Sequence, residues 1–253
     1  MLKRVFWGMI IPAILLLETA CTQKKVQTDE SSLLSAFVAF TDLRINAVQQ
    51  NLQILAATGE VKSLKWEKMA ALLTEYQKTD DGLTIWFMQP DGSYYTVNQG
   101  LVNATLSDRS YFPDLIAGKP VTGALVVSKS TGQRSAIIAI PLIANGKVAG
   151  AVGASLFLDK LAIQVDSTLA LRPDAAFFAL APDGLTTLHR KTDRHFLDPR
   201  ELDSETLKSA VNDMLANPAG EVTYQYDNVT KNALYKTSPL TGWKYAIVFT
   251  SLK

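Results

Sequence analysis

Arg109 is the residue of this sequence best suited to chemistry. It stands in the polar turn Ser107-Asp108-Arg109-Ser110-Tyr111-Phe112, and a guanidinium on a turn facing a cleft grips a carboxylate through two parallel hydrogen bonds. Tyr111 and Phe112 would add an apolar wall and one hydroxyl donor. As neighbours in an extended segment they point opposite ways, so one of the two belongs to the core. The alternative for Arg109 is a local ion pair with Asp108. Lys129 either supplies a second positive group or is a solvated hairpin lysine. Catalytic signatures fare worse. His189 and His195, six apart with Asp193 and Asp198 nearby, lack the spacing of a zinc-binding helix and read as surface or turn histidines. The chain has no GxSxG elbow, no GxxxxGK[ST] loop and no CxxC pair. Gly150-Ala151-Val152-Gly153 falls inside a strand, where small residues allow close packing, and lacks the helix a nucleotide site requires. The reading is a binding protein and not an enzyme, with no cofactor and no metal.

Local signals supply the elements that must position Arg109. Asp114 to Ala117 reads as a one-turn helix stopped by Gly118-Lys119-Pro120, since Gly tolerates the cap conformation and Pro cannot continue a helix. Ala124 to Ser128 and Ala136 to Leu142 are apolar or β-branched runs separated by Lys129-Ser130-Thr131-Gly132, which is hairpin chemistry. Asn145-Gly146 before Val148 to Leu158 is a second hairpin signal, so three consecutive antiparallel strands follow from the turns.

These pieces carry a resemblance. The order Asp108-Arg109-Ser110-Tyr111-Phe112, then Ala117-Gly118-Lys119-Pro120-Val121-Thr122-Gly123, then Val126-Val127-Ser128-Lys129-Ser130-Thr131-Gly132, a strand ending in Pro141, and Gly146 to Leu161 resembles the membrane-distal half of a double Cache domain. That domain is the PAS-like extracellular sensor of bacterial receptors. The match covers about fifty residues. It implies an α+β fold, a long N-terminal helix followed by two tandem PAS-like (Cache) modules with antiparallel sheets, and it marks Arg109 and Tyr111 as ligand-binding. Family members that bind amino acids hold the ammonium group with acidic residues at positions where this chain has Ser155 and, as aligned, Ser128. An unpaired buried charge is costly. The resemblance therefore implies a ligand without an ammonium group, a small organic acid held by Arg109, with Tyr111, Phe112, Ser128 and Ser155 around it.

The 253 residues are 47% hydrophobic and 19% charged, ample for two small cores. Residues 1–20 carry Lys3 and Arg4, then an uncharged run from Val5 to Leu17, too short for a membrane span and right for a secretory leader. Ala20-Cys21 resembles a bacterial lipoprotein processing site, although Glu18 stands where the pattern has Leu, Val or Ile; an ordinary cleaved leader or an uncleaved anchor are the alternatives. Lipidation of Cys21 would place the protein at the cell envelope, on the periplasmic side, and Thr22 resembles the outer-membrane default. One cysteine excludes an intrachain disulfide. Without the leader, basic and acidic residues balance at 23 each once Lys3, Arg4 and Glu18 are removed, which gives no electrostatic case for nucleic acid.

Residues 21–32 read as a tether with a helix start at Thr28 or Asp29. In the helical block 33–80, Leu34, Val38, Thr41, Ile45, Val48, Leu52 and Leu55 step by four and three, an amphipathic helix ended by Gly59. Its stripe either packs along the following modules or forms a parallel homodimer through residues 33–57, with Phe37 and Phe40 free to take a second face. A second helix, Leu64 to Gln77, puts Trp66, Met69, Leu73 and Tyr76 on one face.

An internal repeat divides the rest. Thr84 to Gly92 recurs as Ala176 to Gly184, an apolar strand running into Pro-Asp-Gly, and Gly146 to Leu156 is echoed by Gly242 to Leu252. Two modules follow, 81–165 (membrane-distal) and 166–253 (membrane-proximal), with helices at 159–169 and 202–215, a strand at 220–226, and no counterpart of the Arg109 turn in the second. Because the sequence stops at Lys253 directly after the last strand, a partner, a membrane receptor or envelope protein, is expected to supply the output. The expected function is an envelope-anchored small-molecule sensor. The alternative is a ligand-free spacer or assembly subunit, favoured if aromatics fill the distal pocket.

Overall fold

The computed structural model describes residues 11–250, with side chains from Glu30 onward. Residues 1–10 of the leader and the side chain of Cys21 lie outside the described residues, and none of the helices described is long and apolar enough to cross a membrane. Helix α1 runs Ile11–Ala57. It starts well before Thr28, because residues 13–28 contain neither Gly nor Pro to interrupt it. The whole stripe from Leu34 to Leu55 is buried, with Thr41, Ile45 and Leu52 fully so. Phe37 belongs to it, meeting Phe177 and Tyr245 edge-on at 5.0 and 4.8 Å, and Phe40 packs against the same core. The stripe is thus consumed by the chain's own modules and is not free to pair with a second copy. A short α2 (Gly59–Lys62), capped by the Thr58 hydroxyl, leads into α3 (Trp66–Lys78), which buries Met69 and Leu73 and stacks Trp66 on Tyr95.

The first module comprises β1 (Leu83–Met88), β2 (Ser93–Thr96), β3 (Gly100–Thr105), α4 (Phe112–Ile116), β4 (Val121–Val127), β5 (Arg134–Ala144) and β6 (Lys147–Phe157), in sheet order β3-β2-β1-β6-β5-β4. Both hairpins appear as expected, and Asn145 and Gly146 take the two positive φ angles of a tight hairpin turn. Alternation assigns the faces. Ile85, Phe87, Ala136, Ile138, Val152 and Ala154 pack toward α1; Trp86, Met88, Ile137, Ala139 and Ala151 form the opposite face. A strand buried on both faces reads as a continuous apolar run, as Leu83 to Met88 does. β5 continues past Pro141 to Ala144. Pairing with β4 ends at Ala139, so the missing N–H of Pro141 leaves no ladder bond broken on that side.

Helix α5 (Leu158–Leu169) leads into β7 (Ala175–Leu180), β8 (Thr186–His189), α6 (Glu205–Ala216), β9 (Ala219–Tyr226), β10 (Val229–Thr237) and β11 (Lys244–Thr250), ordered β8-β7-β11-β10-β9. This is the first sheet without β3. The repeated Pro-Asp-Gly turns are geometrically alike: Gly92 and Gly184 have φ of +88° and +98°, and Asp91 and Asp183 each accept the N–H two residues on. Ser204 caps α6 by accepting from Leu207 N at 3.2 Å. Polar links tie α1 to the rest, among them Arg44 to Asp80, Asn51 to Tyr76 at 3.3 Å, Gln49 to Thr122 at 3.0 Å, and Asp42 to Ser238 at 2.7 and 2.9 Å.

Candidate functional site

The Arg109 turn is folded by its own backbone and then fastened from outside. Arg109 N donates to Leu106 O and Phe112 N to Arg109 O, both at 3.0 Å, while Leu106 N is held by Gly92 O at 2.8 Å. Across the module, Lys129 Nζ donates to Thr105 O at 2.7 Å and to both Asp108 oxygens at 2.6 and 2.7 Å. Arg109 Nη2 donates to Val127 O at 2.7 Å, and Gln99 Nε2 to Ser130 O at 2.8 Å. Thr105 ends β3 and Val127 ends β4, the two edges of the six-stranded sheet. These bonds draw the edges together over the face opposite α1.

Two expectations are thereby decided. Asp108 pairs with Lys129 and not with Arg109, so the local ion pair is not what Arg109 is for. The Lys129 hydrogen bond holds the Asp108 carboxyl below its ordinary range. Lys129 itself, its side chain 25% exposed, is a fastening and not a solvated lysine. Arg109 Nε is buried and has no hydrogen-bond partner.

Beneath the turn lie Trp86, Met88, Tyr94, Tyr111, Leu115 and Ile137, all buried. Tyr111 is the core member of the aromatic pair, and Phe112 is half-buried against the same cluster. Burial pushes the Tyr111 hydroxyl far above its ordinary pKa, with the Arg109 charge pulling it back. Burial likewise raises Tyr94, against a hydrogen bond to Ser130. Trp86 packs against Gly153, where an added Cβ would land on the indole. Ser155 is buried and registers with Thr84 on β1 and Ile137 on β5; the Thr84 Oγ1 beside it is buried without a partner. Ser128 is buried as well, but its hydroxyl is engaged in its own turn, 3.2 Å from Ser130 Oγ and accepting from Thr131 N at 3.3 Å. Tyr94, Trp86 and Thr84 were not found from sequence. The one signal was the small residue Gly153, whose neighbour across the ladder is Trp86.

The histidines are neither of them plain surface residues. His195 is buried and its Nδ1 lies 2.8 Å from Asp159 Oδ1, tying the connection before α6 to α5. Burial lowers its pKa against that carboxylate. His189 is half-buried on a cavity of the second module. No group of three or more metal-binding side chains occurs among the described residues.

By sequence the chain matches no protein-family model and no curated protein. By structure it is similar to the extracellular domain of the putative histidine kinase rpHK1S-Z16 (TM-score 0.75, 16% identity, 90% of this chain and 96% of that one). It is also similar to the sensor domain of the V. cholerae histidine kinase DctB (0.70, 12%, 92% and 100%). A third match is the sensory domain of the Campylobacter jejuni chemoreceptor Tlp3, solved with isoleucine bound (0.65, 12%, 96% and 97%). At these identities the likeness establishes the fold, and that fold is the double Cache architecture.

Proposed function

From that fold we propose that this chain is an envelope-anchored small-molecule sensor whose first, membrane-distal module binds a small organic carboxylate at Arg109 and passes its state to a partner protein. The observation that carries the reading is the buried, unpartnered Nε of Arg109 on a turn clamped over the aromatic face. Buried donors in native proteins are almost always paired, and a carboxylate presents the acceptor this one lacks. The carboxylate beside it in the sequence, Asp108, is taken by Lys129. Neither Ser155 nor Ser128 offers charge to an ammonium group, so an amino acid would bury its cation unpaired. The sensor domains among the structural neighbours support the role. Signalling would be a population shift, the ligand favouring one arrangement of the turn and α1 presenting the change to the partner. Lipidation at Cys21 would hold the chain on the periplasmic side, at the outer membrane.

One observation favours a structural spacer instead: Trp86, Tyr94 and Tyr111 occupy the face beneath Arg109. The sensor reading requires Trp86 to move when ligand enters. A thermal-shift screen of small carboxylates and amino acids, with Trp86 fluorescence read against a Trp86→Phe control, separates the two. Carboxylates alone should stabilise the protein and change the Trp86 signal; a flat response across the panel supports the spacer.

A further inference from the structure

The second module holds a cavity of about 140 Å³ between its sheet and the connection preceding α6. Phe178, Leu207 and Val248 give it an apolar floor, and three cations, Lys191, Arg194 and Lys231, line it together with a single carboxylate, Asp227. Among the described residues none of these cations is in a salt bridge. Arg194 and Lys231 instead lie 5.3 and 5.1 Å from the Tyr226 ring centre. Burial lowers the Lys231 pKa; Asp227 opposes that, and Arg194 and Lys191 reinforce it. His189 remains neutral, pushed down to about 3 by burial and by the same cations. Its Nδ1 accepts from Lys191 N at 2.8 Å, which places the ring proton on Nε2. Gathering like charges beside an apolar floor is unfavourable unless an anion joins them.

An independent observation comes from the repeat. Arg109 follows Asp108, stands between β3 and α4, and reaches the end of edge strand β4 at Val127. Arg194 follows Asp193, stands between β8 and α6, and reaches the end of edge strand β9 at Tyr226. The second module therefore does have a counterpart of the Arg109 turn. It was missed because Asp193-Arg194-His195-Phe196 is one residue shorter before its phenylalanine than Asp108 to Phe112.

We propose that this cavity is a second ligand site, taking a small carboxylate with an apolar tail, its head group held by Arg194 and Lys231 and its tail against Phe178, Leu207 and Val248. The site stands whether or not Arg109 binds anything. The test is an amide-resolved NMR titration of the protein with benzoate, butanoate and, as an anion without a tail, inorganic phosphate. Benzoate or butanoate should shift the amides of residues 186–197 and 224–231. Arg109→Ala should leave those shifts in place, and Arg194→Gln with Lys231→Gln should weaken binding at least about tenfold. Lys231→Met alone keeps the packed stem; it should weaken the carboxylates and raise the melting temperature of the probe-free protein. The proposal is overturned if millimolar carboxylate leaves these amides unmoved, if phosphate shifts them and the carboxylates do not, or if Lys231→Met binds and melts as the unaltered protein does.

Discussion

Lys129 Nζ lies within 2.7 Å of both carboxylate oxygens of Asp108, a bond between segments that follow opposite edges of one six-stranded sheet. Asp108 is exposed, so the pair stabilises the fold little. Its consequence is geometric: with Lys129 also on Thr105 O, the turn is fixed and Arg109 is aimed inward. Lys129→Met should leave the melting temperature almost unchanged, yet speed amide exchange at residues 107–112 and weaken carboxylate binding. Unchanged exchange there would show that the backbone bonds of the turn suffice.

Gly153 exists to admit Trp86. Gly153→Ala sets a methyl against the indole, and overpacking of this kind costs about 1–3 kcal/mol. Thermal denaturation should show the loss, and Trp86→Phe in the same chain should restore part of it.

The bond from Ser238 to Asp42 joins the spine to the second module across 196 residues of sequence. Burial raises the Asp42 pKa, against the Ser238 hydrogen bond. Ser238→Ala removes that bond and should destabilise by about 1–3 kcal/mol, while adding Asp42→Asn should recover some of it. Equal losses in the single and double variants would mean that the carboxylate finds water instead.

Acid should weaken the fold through its histidines. His189 and His195 both have folded pKa values below their ordinary value, His189 near 3. Below pH ~6.5 the unfolded chain takes up protons that the native chain refuses, so stability falls as pH drops, by up to about 1.4 kcal/mol per pH unit for each proton. Between pH ~7 and ~5, where histidine is the side chain that ordinarily titrates, denaturant melts should show this slope, and His189→Asn should reduce it. A flat profile would place both rings in contact with water.

Local signals were the legible part of this sequence. The four-three stepping of Leu34 to Leu55, the Asn145-Gly146 hairpin and the repeated Pro-Asp-Gly turns each depend on neighbours a few residues away, and each appears in the fold. β2 and β3 were not foreseen: Ser93 to Thr96 and Gly100 to Thr105 are short and half-exposed, without a strong pattern. Arg109 stood out by type, whereas its fastening rests on Lys129 and Val127 some twenty residues on. The burial of His195 depends on Asp159, 36 residues earlier, and no spacing rule carries that.

Calorimetric titration of a small carboxylate without an apolar tail, such as succinate, into the protein, Arg109→Ala and Arg194→Gln decides whether Arg109 holds a carboxylate. Ligand at a hundred times its dissociation constant would stabilise the protein by about 2.7 kcal/mol and raise its melting point by roughly 2 to 4 °C, so binding and stability can be read together. Succinate lacks the apolar tail that the second cavity takes, so its binding should be removed by Arg109→Ala and left intact by Arg194→Gln. Succinate binding that survives Arg109→Ala, or a panel of small carboxylates none of which binds in an Arg109-dependent way, would contradict the carboxylate site at Arg109.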